Sequence, residues 1–199
     1  MKELEAIEKL TDSFTLFPSI GEKTAERMAY ALLDMSTENV DRLIASIKNV
    51  KDKIHPCPIC GLLTEDDVCS ICSDSSRDKS ICMVIENSKD AIAFENTKTY
   101  NGIYHVLNGV IAPSKNIGPE NLTINKLLER IKEGNIKELI ISTSGTIEGE
   151  TTALYINKIL ENTNIKISRI ACGIPIGANL DYLDTLTLDR ALKGRTKLK

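Results

Sequence analysis

Apolar residues along the first fifty positions repeat at helical spacing. The first series consists of Leu4, Ile7, Leu10 and Phe14. The pattern breaks at residues 17–21 and resumes over residues 25–33 and 40–47. Because residues three or four apart share one face of a helix, this region is predicted to form helix, turn, helix, helix. Ser36 and Thr37 are natural caps for the third helix.

A different pattern begins at Ser80, where short segments rich in β-branched residues alternate with helical ones. The predicted strands are residues 81–86, 104–108, 138–143 and 165–171, and the predicted helices are residues 121–132 and 150–161. Strands that alternate with helices indicate βαβ units, which form a parallel sheet covered on both faces. The predicted fold class is therefore α/β, preceded by an all-helical N-terminal module.

Composition and charge narrow the class of protein. The chain has 199 residues, a formal net charge of −3 and 42% hydrophobic residues, which is ordinary for a globular protein. A charged N-terminus and the lack of a long apolar run predict a cytoplasmic location. Cations are concentrated at the C-terminus, at Arg190, Lys193, Arg195, Lys197 and Lys199. We interpret this end as solubilising, with a DNA-binding arm as the alternative.

Four cysteines form two CxxC pairs separated by eight residues; they are Cys57, Cys60, Cys69 and Cys72. Residues 55–76 are poor in aliphatic side chains, so they cannot build a core of their own. Four thiolates complete a tetrahedral Zn²⁺ shell, and metal binding then provides the folding free energy. We predict one structural zinc ion with no open catalytic position.

The remaining cysteines and the strand histidine are predicted to be structural. Cys82 and Cys172 lie in apolar segments without a cationic neighbour to lower the pKa of the thiol, so we expect small buried hydrophobic residues. His105 lies within a predicted strand, where we expect a histidine with a satisfied hydrogen bond and not a catalytic base.

The segment that joins the first two helices, residues 17–28, resembles a helix-hairpin-helix element. Its tight turn at Ile20 and Gly21 would expose backbone N–H groups, and the next helix would direct its positive end at the same place. Lys23 and Arg27 are four residues apart and share one helix face. This arrangement favours DNA phosphates. Ser19 stands where the motif has its first glycine, which weakens the inference, and a plain helical hairpin with Gly21 in the turn is the alternative.

A second motif follows two of the predicted strands. Glu86 ends the first strand, and residues 142–150 contain Glu148 and Glu150. This pattern resembles the Toprim domain of topoisomerases and primases, whose catalytic members hold Mg²⁺ with a glutamate and a pair of aspartates. Ser144 and Thr146 stand where the two aspartates would be, which argues against metal-dependent catalysis. The acidic residues then suit docking of a basic partner, or form a solvated rim with no partner.

The order of helix-hairpin-helix, four-cysteine finger and Toprim domain resembles the RecR family of bacterial recombination mediators over essentially the whole chain. Stretches that match in detail include residues 102–107, 117–120, 147–150, 169–177 and 192–195. Residues 112–116 depart from the family pattern locally. The expected domains are residues 1–53, 54–76, 77–172 and 173–199.

The resemblance implies a ring-like homotetramer that encircles DNA and works with RecO, and in many bacteria RecF, to load RecA onto single strands coated by SSB. It places Lys23 and Arg27 toward DNA, and Glu86, Glu148 and Glu150 near the RecO contact. The resemblance also implies that the protein is associated with the nucleoid and has no catalytic activity. The rival hypotheses are a residual Toprim nuclease and a scaffold that never touches DNA.

Overall fold

The computed structural model of the chain describes residues 4–171, 173–195 and 197. Contacts divide them into two units, the first ending at Ile54 and the second starting at His55. None of the helices in these described ranges is both long enough and apolar enough to cross a membrane.

The N-terminal unit confirms the predicted helix, turn, helix, helix. Its helices are α1 (Glu5–Thr15), α2 (Glu22–Leu33) and α3 (Thr37–Lys53). Helices α1 and α2 pack through the buried side chains of Ile7, Ala25 and Ala29, where the two small alanines allow a close approach. Ser36 caps α3 by accepting a hydrogen bond from the Asn39 N–H at 3.3 Å.

The C-terminal unit confirms the α/β prediction. Its elements are β1 (His55–Pro56), β2 (Leu63–Thr64), α4 (Ser70–Ser73), β3 (Asp78–Ile85), α5 (Ser88–Thr97), β4 (Gly102–Val106), α6 (Ile124–Lys132), β5 (Glu138–Ser142), α7 (Ile147–Ile159), β6 (Lys166–Arg169) and α8 (Thr185–Lys193). Strands β1 and β2 form a small antiparallel pair. The other four form a parallel sheet in the order β4-β3-β5-β6.

Alternate side chains of β3 point to opposite faces of this sheet and divide the core in two. Cys82 and Val84 pack with α6 and α7, and Met83 and Ile85 pack with α5 and the four-cysteine segment. Cys82 is completely buried, and burial raises the pKa of its thiol to about 12. The prediction of a structural cysteine is therefore confirmed at Cys82, whereas Cys172 lies outside the described residues.

Three helices differ from the sequence prediction. Helix α5 was not predicted, because Ala91 is its only buried residue and its apolar positions show no helical repeat. Helix α6 starts three residues late, because Pro119–Asn121 forms a separate 3-10 turn. Helix α7 starts three residues early, because the Thr146 hydroxyl accepts a hydrogen bond from the Gly149 N–H and caps it.

Candidate functional site

The four paired cysteines come together at one point of the C-terminal unit. Cys57 and Cys60 belong to the turn after β1, Cys69 precedes α4, and Cys72 lies within it. Their four Sγ atoms all lie within 4.8 Å of one another. Three of the four residues are buried and Cys72 is half-buried, so the sulfur atoms face inward and away from solvent.

The sulfur geometry fits a tetrahedral metal. The Sγ atoms of Cys60 and Cys69 are 3.4 Å apart, close to the separation of about 3.8 Å that Zn–S bonds of about 2.3 Å impose. The Leu62 N–H points at the Cys60 sulfur at 3.5 Å, so a backbone dipole helps to offset thiolate charge. A hydrogen bond with Cys60 lowers the pKa of Cys72 to about 6 against the opposing effect of burial. This cluster could hold Zn²⁺ without another ligand.

The four-cysteine segment also packs on the sheet and on α5. The Val106 N–H donates to the Cys60 carbonyl at 2.8 Å, and the Leu63 N–H donates to the Ser88 hydroxyl at 2.8 Å. Gly61 has a φ of +82°, and a Cβ there would lie 3.2 Å from the Cβ of Val106. The close approach of the turn to β4 therefore requires glycine. The metal cluster and the sheet support each other.

His105 is a satisfied buried histidine, as predicted. Its Nδ1 accepts a hydrogen bond from Arg130 at 3.1 Å, so Nε2 carries the proton and donates to the Thr123 carbonyl at 3.1 Å. Burial, with the neighbouring Arg130 charge, lowers the pKa of His105 to about 4. The ring is neutral at physiological pH and both nitrogens are occupied, so its geometry is that of a packing residue.

The hairpin between α1 and α2 closes in a tight turn even though it lacks the first glycine of the motif. The Ile20 N–H donates to the Phe17 carbonyl at 3.2 Å, which closes a tight turn in which Ser19 takes a φ of +68°. Gly21 is extended and caps α2 without a side-chain hydrogen bond. No described residue accepts a hydrogen bond from the N–H groups of Gly21, Glu22 or Lys23. Free N–H groups at the start of a helix, together with the helix dipole, favour the binding of an anion.

Lys23 and Arg27 lie on the exposed surface of α2 beside this turn. Neither forms an ion pair with a described residue. Both cationic groups are therefore available to a ligand, although Glu22 and Glu26 on the same helix reduce the local positive potential.

Glu86, Glu148 and Glu150 belong to segments that follow the carboxyl ends of β3 and β5. Glu86 follows β3, whereas Glu148 and Glu150 lie in the first turn of α7 and not at a strand end. The Glu86 carboxylate accepts a hydrogen bond from the Ser144 N–H at 2.5 Å, which joins the ends of β3 and β5. In an open parallel sheet, functional groups usually lie outside the carboxyl ends of the strands at the point where the strand order reverses, which here is between β3 and β5.

Two arginines that sequence reasoning did not assign to this edge engage Glu150. Arg169 contacts its Oε1 at 2.9 Å and Arg190 approaches the same atom at 3.7 Å. The sequence did contain a signal for Arg169, because it is a cation at the end of β6, the strand next to β5 and the acidic segment that follows β5. Arg190 offered no such signal, because its helix follows a long irregular segment.

Comparison with known families covers nearly the whole chain. Residues 7–51 match the model for "RecR, helix-hairpin-helix", and residues 54–74 match the model for the four-cysteine zinc finger domain of RecR. Residues 80–171 match a Toprim domain, and residues 173–196 match "RecR, C-terminal". Together with the cysteine geometry, the finger match identifies the cofactor as zinc.

Two curated relatives extend this result. The chain is 46% identical to "Recombination protein RecR" of Treponema denticola, over 98% of this chain and all of that protein. It is 44% identical to "Recombination protein RecR" of Lactobacillus delbrueckii subsp. bulgaricus, over 96% of this chain and 97% of that protein. The chain therefore belongs to the RecR family of recombination proteins.

Proposed function

We propose that this protein is a DNA-binding clamp without catalysis, which acts with RecO, and with RecF where that protein is present, to load RecA onto SSB-coated single strands. The observation that carries the proposal is the start of α2, where three free backbone N–H groups lie beside the exposed cations Lys23 and Arg27. Phosphate groups are the ligands that such a site prefers.

The DNA contact that we propose is independent of sequence. Ile20 and Gly21 would hold the turn against a phosphate, and Lys23 and Arg27 would add Coulomb attraction along the backbone. Since none of these groups needs a base edge, affinity should depend on salt and not on sequence. The negative charges of Glu22 and Glu26 keep the affinity of one subunit for DNA modest. A ring of several subunits would repeat this weak, exchangeable contact and so increase the total affinity.

Exposed apolar side chains support a homo-oligomer, for which we propose a ring-like tetramer. Helix α3 has no buried residue, yet Leu43, Ile44, Ile47 and Val50 are all exposed on it. A helix with an apolar face needs another surface to cover that face. The C-terminal segment has a second group, which consists of Ile174, Ile176, Leu180, Tyr182, Leu186 and Leu192.

We further propose that the Toprim domain has no nuclease or strand-passage activity. Ser144 and Thr146 offer hydroxyls in place of carboxylates, and the Thr146 hydroxyl accepts the hydrogen bond that caps α7. Glu150 is held by Arg169, which further lowers the negative charge available to a divalent cation. These residues do not fit Mg²⁺. Mg²⁺-dependent nicking that Glu86→Gln abolishes would overturn this part of the proposal.

For RecO we propose docking at Glu86, Glu148 and Glu150, with a basic surface on the partner. The three carboxylates are not equivalent. Glu86 accepts the Ser144 N–H and Glu150 pairs with Arg169, whereas the Glu148 carboxylate has no partner among the described residues. Glu148 is therefore the residue whose charge is most available, and Glu148→Lys should weaken RecO binding most.

The remaining assignments follow from this function. We propose functional segments at residues 1–53, 54–76, 77–172 and 173–199, with Cys57, Cys60, Cys69 and Cys72 as the ligands of one zinc ion per chain. A protein that loads a recombinase acts where the chromosome is, so we propose the cytoplasm at the nucleoid.

RecA assembly on SSB-coated single-stranded DNA, in the presence of RecO, tests the proposal. We expect wild-type protein to accelerate assembly, the Lys23→Glu, Arg27→Glu double variant to fail, and Glu148→Lys to fail while still binding DNA. The scaffold hypothesis would replace ours if the double variant loaded RecA as well as wild type does.

A further inference from the structure

Glu150, at the acidic sheet edge, pairs within the chain with two guanidinium groups that come from different elements. Arg169 is the last residue of β6, and Arg190 lies in the last turn of α8. Both approach the same oxygen, Oε1 of Glu150. All three side chains are at least two-thirds buried, so the charges interact with less screening than on an open surface.

Arg169 is fixed by several hydrogen bonds of its own. It donates to the Thr143 hydroxyl at 2.8 Å, to the Thr143 carbonyl at 3.1 Å and to the Ser144 carbonyl at 3.2 Å. The Thr143 hydroxyl in turn donates to the Gly149 carbonyl at 2.7 Å. Arg169 therefore belongs to the rigid sheet edge and holds Glu150 in place.

Arg190 makes a different kind of contact, because it brings α8 to this edge. It donates to the Gly145 carbonyl at 2.9 Å and lies 3.7 Å from Oε1 of Glu150. Within the described part of the chain, it is the one residue of α8 with a hydrogen bond or ion pair to the sheet, its loops or its other helices.

Apolar packing holds α8 on its own chain only weakly. No residue of α8 is buried; Leu188 is 36% exposed, and Leu186 and Leu192, which belong to the proposed oligomer face, are 56% and 66% exposed. The helix is independently capped, since Asp184 accepts a hydrogen bond from the Thr187 N–H at 2.9 Å. Loss of the Arg190 contact would therefore free α8 from the sheet without removing its own N-terminal cap.

We propose that Arg190 is a latch that holds α8 on the acidic sheet edge through Glu150 and the Gly145 carbonyl. A basic partner that takes Glu150 must displace Arg190 and so releases α8. This second statement rests on the proposed docking of RecO at the same carboxylates, whereas the latch itself does not. By linkage, a variant without the latch binds such a partner more tightly.

Amide hydrogen exchange of α8 in the full-length, zinc-loaded protein tests the latch. We expect Arg190→Gln to accelerate exchange over residues 188–193 about tenfold or more, because it weakens the hydrogen bond to the Gly145 carbonyl and removes the ion pair with Glu150. Glu150→Gln should act in the same direction. Lys193→Gln is the matched control, since it removes the same charge from α8 but pairs only with Asp189, in its own helix.

Unchanged exchange in Arg190→Gln, or an equal increase in Lys193→Gln, would overturn the latch. Zinc content and far-ultraviolet circular dichroism identify a variant that has lost its fold. Arg190→Lys then serves as the second variant, and we expect it to release α8 partially.

The Kd for RecO tests separately whether RecO competes with Arg190 for Glu150. Tighter binding in Arg190→Gln but not in Lys193→Gln supports competition, and equal Kd values overturn it. If RecO binds none of the variants, the proposed partner site fails while the exchange data still decide the latch.

Discussion

At the scale of single residues, the backbone conformation of Ser19 and the protonation of His105 both affect the stability of the protein. Ser19 takes a left-handed backbone conformation that glycine adopts more readily. His105 lies in the core with both ring nitrogens bonded. Each makes a measurable contribution to stability.

Replacement of Ser19 by glycine is expected to stabilise the N-terminal unit by about 0.5–1 kcal/mol. The left-handed conformation costs serine about 1–2 kcal/mol, which exceeds the extra chain entropy that glycine loses on folding. Urea unfolding measures the change. Ser46→Gly, within α3, is the matched control and should destabilise by roughly 0.5 kcal/mol. Destabilisation by Ser19→Gly would contradict the turn conformation described here.

The stability contributed by neutral His105 is expected to fall as the pH falls. The folded-state pKa of about 4 is below the ordinary value of 6.5, so the unfolded chain binds the proton first. The contribution is therefore complete above pH 6.5 and is lost progressively toward pH 4. Unfolding of wild type and His105→Gln at pH 7 and pH 5 should show their difference shrinking by about 2 kcal/mol. Effects of pH on zinc binding occur in both proteins and cancel in the comparison. If the difference in unfolding free energy between wild type and His105→Gln did not change with pH, the prediction would be wrong.

At the scale of elements, the four-cysteine segment depends on its metal and on the sheet together. Its cysteines belong to the same buried cluster as Met83, Ile85 and Val106. Loss of zinc therefore leaves four thiols close together in the core and removes the support of the turn that packs on β4.

Cys57→Ser is expected to lose stoichiometric zinc and several kcal/mol of stability in the C-terminal unit. Metal analysis and thermal unfolding measure the two effects. Cys82→Ala is the control, because it removes a buried thiol from the sheet but leaves the metal ligands intact; it should keep its zinc. A Cys57→Ser variant that melts like wild type would rule out a structural metal.

The sequence predicted the elements with regular patterns and missed those held by tertiary contacts. The CxxC spacing, the short segments rich in β-branched residues and the residues of the hairpin are local signals, and each corresponds to an element of the structure. Helix α5 lacks such a signal because Ala91 is its only buried residue. The engagement of Glu150 by Arg190 joins residues forty positions apart, so no local pattern could reveal it.

At the scale of the whole molecule, the proposed clamp requires several subunits. The apolar face of α3 and the weak charge of each hairpin both suit an assembly in which faces are covered and DNA contacts are repeated. Ile47 is 54% exposed on this face.

Ile47→Asp is expected to lower the molar mass of the assembly in light scattering, because a charge on a covered apolar face must be desolvated. Lys48→Asp, at the next position of the same helix, should leave the mass unchanged. Equal masses for wild type and Ile47→Asp would show that α3 is not an interface.

The central claim is that the hairpin of the N-terminal unit binds DNA. Fluorescence anisotropy of a labelled single-strand/double-strand junction, measured across a salt series, tests it most directly. The hairpin variant carries both Lys23→Glu and Arg27→Glu. It is compared with wild type and with a control double variant, Lys48→Glu with Lys51→Glu, which makes the same change of charge on α3. We predict weak wild-type binding with a steep salt dependence, little change in the α3 control, and loss of binding in the hairpin variant. Equal binding by wild type and the hairpin variant would contradict the account.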